Sequence, residues 1–93
     1  MGNKYIMKNT IKFNGKLNAI GNKIKDYRIL NKMTQKELAE QLQLYGIDLN
    51  KNSLQKIERG DRIIKEYELA VFCKILNVSA DELLKGCVEN LLK

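Results

Sequence analysis

The stretch Thr34–Gly60, TQKELAEQLQLYGIDLNKNSLQKIERG, decides the fold because it carries the start and stop signals of two short helices. Thr34 and Glu37 form a capping box, in which the hydroxyl accepts from the backbone N–H of residue 37 and the carboxylate accepts from that of residue 34. A helix is therefore predicted to begin at Gln35. The residues on its inward face are Leu38, Ala39 and Leu42.

A second helix of this stretch is predicted from about Lys51 to Arg59, after a connection over residues 43–50. Asn50 and Asn52 both have the chemistry of an N-cap, so the sequence leaves two possible first residues for this helix, two positions apart. Gly60 is the expected C-terminal stop, because glycine adopts the left-handed conformation that ends helices. The inward residues are Leu54 and Ile57.

Apolar spacing predicts three further helices around this pair. One begins at Leu17 and ends at Asn31-Lys32, and another covers roughly Lys65–Leu76. A capping box at Ser79 and Glu82 opens a short last helix. Proline is absent and strand signals are weak, so the 93-residue chain is predicted to be all-α, a compact fold of five helices.

The charge of the chain points to an anionic partner. Its formal charge is +6, and residues 1–36 carry nine Lys and Arg against one acid. Such a balance favours nucleic acid over an acidic membrane surface. Residues 1–16 are either a basic arm or a short strand, residues 17–86 form the domain, and residues 87–93 are a tail.

Composition also excludes several classes of function. The chain has no His and two Cys, Cys73 and Cys87, so neither a metal site nor a disulfide framework is expected. Paired catalytic groups and a glycine-rich phosphate loop are missing, so we expect no enzyme and no cofactor. No segment reaches the roughly 20 apolar residues of a membrane span. We expect a cytoplasmic protein that does not contact a membrane.

The predicted helix over Lys51–Arg59 is the third helix in chain order. Its outward face is rich in amides and ammonium groups. Asn and Gln side chains can pair with adenine, and Lys can donate to the O6 and N7 atoms of guanine. This face therefore suits the edges of bases in a DNA groove. The candidate base contacts are Lys51, Asn52, Ser53, Gln55 and Lys56.

Three blocks in this order resemble the Cro/cI-like (XRE-type) helix-turn-helix family. They read IGNKIKDYRILNKMTQKELAEQL, NSLQKIERGDR and ILNVSADELL, and they lie within residues 20–84. The resemblance implies a lambda-repressor-like DNA-binding domain, with the second and third helices forming the helix-turn-helix. It also implies that the protein binds double-stranded DNA in a sequence-specific way. As a regulator of transcription, it would then repress by occupying an operator.

The resemblance further implies roles for individual residues. Arg28 and Glu58 match a structural ion pair that joins the first helix to the third. Gln35 matches a position that contacts phosphate and supports the reading helix, whereas Arg59 and Arg62 match phosphate contacts beyond it. The complete set of candidate phosphate contacts is Lys32, Thr34, Gln35, Lys36, Arg59 and Arg62.

The sequence departs from the family in its longer connection between the second and third helices, which leaves the register of the third helix open. Ile47 and Leu49 are expected to anchor the additional residues to the core.

A module of this size is expected to bind a pseudo-palindromic operator as a homodimer, with half-sites about 34 Å apart. Val88, Leu91 and Leu92 either form the dimer contact or pack on the fourth helix. The alternative function is a protein-interaction module with a protein partner, such as an antitoxin that also binds its own promoter.

Overall fold

The computed structural model describes residues 15–88, and every regular element in that range is a helix. This confirms the all-α prediction. The order along the chain is α1 (Gly21–Leu30), α2 (Gln35–Leu44), α3 (Lys51–Arg59), α4 (Glu66–Leu76) and α5 (Ala80–Leu84).

The two helices of the central stretch begin where their caps predict. The Thr34 hydroxyl accepts from the N–H of Glu37 at 3.0 Å, and the Glu37 carboxylate accepts from the N–H of Thr34 at 2.8 Å. Asn50, rather than Asn52, caps α3 by accepting from the N–H of Ser53 at 2.9 Å. Gly60 ends α3 in the left-handed conformation, with φ of 83°. The bounds of α3 are therefore set by the two residues that flank it, Asn50 and Gly60.

Helix α1 begins later than the apolar spacing predicts, at Gly21 instead of Leu17. The Asn18 side-chain oxygen accepts from the N–H of Ile20 at 3.0 Å and from that of Gly21 at 2.6 Å. The N–H of Leu17 donates to the carbonyl of Gly60 at 2.7 Å. These bonds hold residues 17–20 in a turn against the end of α3, so the helix starts only after them.

Helix α4 begins without a Ser or Thr cap. Instead, the Glu68 carboxylate accepts from the N–H of Lys65 at 2.9 Å, which is the acidic half of a capping box. Asn77 ends the helix in the left-handed conformation, with φ of 56°. At the start of α5, the Ser79 hydroxyl accepts from the N–H of Glu82 at 3.0 Å, as predicted.

All five helices contribute to one core. Ile47 and Leu49, from the connection between α2 and α3, are buried in it, so the longer connection is anchored as predicted. Cys73 packs against the same core, and burial raises the pKa of its thiol. The buried apolar residues are Ile20, Ile24, Leu38, Ala39, Leu42, Ile47, Leu49, Leu54, Ile57, Phe72, Leu76 and Leu83.

A glycine permits the close approach of α1 to α3. A Cβ atom on Gly21 would lie 1.9 Å from the carbonyl oxygen of Ile57. Since no real Cβ makes such a contact, only glycine fits here without a backbone shift. The packing of α1 on α3 thus depends on a residue that the sequence places at the first position of the helix.

The described helices are all too short or too polar to cross a membrane. Val88 is 65% exposed, whereas the other two apolar residues of the predicted dimer contact, Leu91 and Leu92, lie outside the described residues. The same is true of residues 1–14, so the choice between a basic arm and a strand stays a prediction.

Candidate nucleic-acid interface

The five candidate base contacts all lie on α3. Lys51, Asn52 and Lys56 are exposed, and Ser53 and Gln55 are half-buried. The core residues of the same helix, Leu54 and Ile57, are fully buried. Helix α3 therefore has one side held by the core and another side, amide- and lysine-rich, open to a ligand.

The only acid of α3, Glu58, is withdrawn from that open side. Its carboxylate accepts from Arg28 Nε at 2.7 Å and from Arg28 Nη2 at 3.1 Å. The side chains are 10% exposed for Arg28 and 3% for Glu58. The third Arg28 donor reaches the carbonyl of Met33 at 2.8 Å. The ion pair that the resemblance implies thus joins α1 to α3, and it neutralises the acid that would otherwise repel phosphate.

Gln35 connects the start of α2 to this pair. Its Nε2 donates to Glu58 Oε1 at 3.0 Å, and the side chain is half-buried. The carboxylate of Glu58 therefore holds both α1 and α2 against α3. The other candidate phosphate contacts near the start of α2 are exposed, namely Lys32, Thr34 and Lys36.

The two arginines after α3 have different environments. Arg59 is exposed, and its Nε donates to Asp61 at 3.0 Å on the surface. Arg62 instead turns toward α4, where its Nη1 and Nη2 donate to Glu68 at 3.1 and 3.2 Å. Arg62 Nη1 also donates to the carbonyl of Ile63 at 3.0 Å. Both arginines are therefore paired with an acid, but the Arg59 pair is exposed to solvent, whereas Arg62 is paired with a buried carboxylate.

Glu68 is a buried carboxylate held in its charged form. Burial raises the pKa of Glu68, but the hydrogen bonds from Arg62 and from the N–H of Lys65, together with their positive charges, more than offset this. The pKa consequently lies below the ordinary range of a carboxyl group. The segment between α3 and α4 is thus fixed by an ion pair at neutral pH.

Two clefts lie beside α3, and the smaller one includes the candidate base contact Gln55. The smaller, of about 240 Å³, is lined by Lys25, Gln35, Gln55, Glu58 and Arg59. The larger, of about 660 Å³, lies between the first turn of α1 and the end of α3. Lys25 was not among the sequence-predicted contacts, because only the packing of α1 on α3 shows which side of α1 meets the interface.

Asn18 is a second residue that the sequence analysis missed. Its Nδ2 donates to the carbonyl of Ile57 at 3.0 Å and to that of Arg62 at 2.8 Å. The side chain thus satisfies carbonyl groups at and beyond the end of α3 while capping α1. An Asn in the first turn of a predicted helix is a candidate N-cap, which could have indicated the first role, although not the second.

Helices α2 and α3 are short, follow each other in the chain and pack together, and α3 has a polar open side, which is the arrangement of a helix-turn-helix DNA-binding domain. A family model described as Helix-turn-helix matches residues 24–83, and the chain belongs to this family, in its Cro/cI-like (XRE) type. No curated protein and no solved structure matches the chain significantly. Members of the family are DNA-binding regulators rather than enzymes, so the chain binds double-stranded DNA in transcriptional regulation.

Proposed function

We propose that the chain is a sequence-specific repressor that acts by occupying its operator. The observation that carries this proposal is the open side of α3, which presents amides and lysines while its only acid, Glu58, is buried against Arg28. Because no unpaired acid of α3 lies on this surface, DNA phosphates can approach it without electrostatic repulsion from the helix. It also offers the side chains that distinguish one base pair from another.

Base contacts are proposed for the exposed and half-exposed residues of α3. The amides of Asn52 and Gln55 can each donate to and accept from adenine, and the ammonium groups of Lys51 and Lys56 can donate to guanine. Ser53 can bond either kind of base. The Asn50 cap fixes where α3 begins. A helix-turn-helix reads bases with the N-terminal residues of this helix, so we place the base contacts there.

Phosphate contacts are proposed at both ends of the helix-turn-helix. The first N–H groups of α2 have no partner within the helix, and the helix dipole adds partial positive charge there. Thr34, Gln35 and Lys36 surround this end, with Lys32 just before it. Arg59 is the exposed candidate at the far end. Arg62 also stays a candidate, but a phosphate would have to share it with Glu68.

Homodimerisation is proposed because one copy of α3 reads too few base pairs for tight and specific binding. Two copies related by a two-fold axis match a pseudo-palindromic operator. Apolar surface near the C-terminus supports this, since Leu84 is 46% exposed and Val88 is 65% exposed. The cytoplasm is the compartment proposed for this activity.

The experiment selects duplexes from a random library with the purified protein and then measures their binding by fluorescence anisotropy across a salt series. Tight, salt-sensitive binding that prefers the selected duplex over its scrambled form is expected. A reporter with the selected site across its promoter should then be repressed. Weak binding that is equal for both duplexes would contradict the proposal and favour a protein-interaction module, such as an antitoxin.

A further inference from the structure

The two clefts beside α3 adjoin each other. Lys25, Glu58 and Arg59 line both of them, so the clefts meet at these three side chains. One end of the groove reaches Gln35 and Gln55, which are the proposed phosphate and base contacts. The other end reaches the first turn of α1, where residue 16 packs over the end of α3. We name this feature the α1–α3 groove.

The α1–α3 groove is positively charged. Its cations are Lys16, Lys25 and Arg59, and all three are exposed. Of its two acids, Glu58 is buried and neutralised by an arginine outside the groove. The other, Asp61, is paired with Arg59 and leaves the two lysines unopposed within the lining.

The orientation of Lys25 differs from that of the neighbouring lysine on α1. Lys23 Nζ donates to the carbonyl of Lys85 at 2.5 Å, which places it on the side of α1 near the end of α5. Successive residues of a helix are about 100° apart, so Lys25 lies about 200° around α1 from Lys23. Lys25 therefore belongs to the side that faces the groove, as its place in the lining of both clefts requires.

We propose that the α1–α3 groove binds the phosphate backbone of DNA, with Lys25 and Lys16 as additional phosphate contacts. The backbone that passes Gln35 continues along α1, so the DNA contact extends beyond the helix-turn-helix itself. Arg59 joins these contacts when a phosphate replaces Asp61 as its partner. The inference rests on the proposed binding of DNA, and it specifies where the backbone runs.

The test measures binding of a mixed-sequence 30-base-pair duplex by anisotropy across a salt series. Each phosphate contact contributes roughly 0.9 to the slope of log K against log salt concentration, so Lys25→Gln should reduce the slope by about 0.9 and weaken binding about 8-fold at 0.1 M salt. Lys74→Gln is the matched control, because Lys74 is an exposed lysine of α4 that lines neither cleft. This control should leave the slope unchanged.

Two further variants separate a phosphate contact from a loss of folding. Lys25→Arg should retain the slope, since it keeps the charge. Asp61→Asn should strengthen binding to any duplex, because Arg59 loses its competing partner, and misfolding cannot produce that gain. The preference for a selected site over its scrambled form should be the same in all four variants, since backbone contacts do not read sequence.

Equal slopes for Lys25→Gln and Lys74→Gln, with a normal slope for the wild type, would overturn the inference while leaving the proposed function intact. A change in sequence preference on replacing Lys25 would also overturn it, since that would make Lys25 a base contact. If the wild-type protein binds no duplex, the proposed function itself fails, and the inference with it.

Discussion

Replacing Glu58 with Ala tests the ion pair that holds the interface together. The wild-type carboxylate accepts three hydrogen bonds, two from Arg28 and one from Gln35, and its side chain is only 3% exposed. In the variant, Arg28 stays buried with no anion beside it. Its one remaining acceptor among these contacts is the carbonyl of Met33.

The expected loss is large for so small a domain. Removing one partner of a buried ion pair costs about 3–5 kcal/mol, because the other charge is left buried and unpaired. Domains of this kind have a total stability of about 5–15 kcal/mol. At about 4–8 °C per kcal/mol, the melting temperature should fall by at least 12 °C or so. The unpaired Gln35 amide adds to the loss.

Urea denaturation at pH 7, followed by far-UV circular dichroism, measures this loss. Glu40→Ala, which removes an exposed acid of α2, should change stability by less than about 0.5 kcal/mol. The double variant Arg28→Met with Glu58→Leu should recover most of the loss, since apolar pairs can replace a buried ion pair with little cost. A loss below about 1 kcal/mol in the free energy of unfolding of Glu58→Ala would refute the reasoning. A buried Arg28 that lacks its carboxylate partner should destabilise the fold by more than that.

Further predictions concern binding, packing and pH. Lys56→Ala should weaken operator binding by about 1–3 kcal/mol and relax the preference at one base pair, as measured by anisotropy on single-substitution duplexes. Leu54→Ala should cost about 2–5 kcal/mol in urea denaturation, because it leaves a cavity in the core. Gly21→Ala should lower the melting temperature and the affinity together, because the new Cβ meets the carbonyl of Ile57 at 1.9 Å; an unchanged melting temperature would contradict that packing. Since the pKa of Glu68 is lowered by folding, its stabilising contribution is present above the ordinary carboxyl pKa of about 4.3 and is lost as pH falls through the lower folded value. Glu68→Gln should therefore flatten the fall of the urea midpoint below about pH 4.3, whereas an unchanged acid profile would exclude this contribution.

Local signals predicted most of the fold because they act between near neighbours in the chain. The capping box of Thr34 and Glu37 joins residues three apart, and so does the cap of Asn50 on Ser53. The left-handed stop at Gly60 is likewise a property of one residue. Such bonds join residues close together in the chain, so the pattern of residues indicated them, although it left Asn50 and Asn52 as alternative caps of α3.

The start of α1 was wrong by several residues for the opposite reason. Asn18 binds the carbonyl groups of Ile57 and Arg62, which lie 39 and 44 positions further along the chain. No local pattern shows a bond over that distance. The apolar residue Leu17 fits the helical period, but its N–H donates to the carbonyl of Gly60, which holds Leu17 against the end of α3.

The sequence by itself determined the helices of the central stretch, the polar face of α3 and the family to which the chain belongs, since each of these depends on residue types at short spacing. Only the tertiary structure decided which charges a ligand can meet. Arg62 is paired with Glu68 within the protein, whereas Lys25 lines a groove beside α3. The physical reason is that the availability of a charge depends on the groups packed around it, and those come from distant parts of the chain.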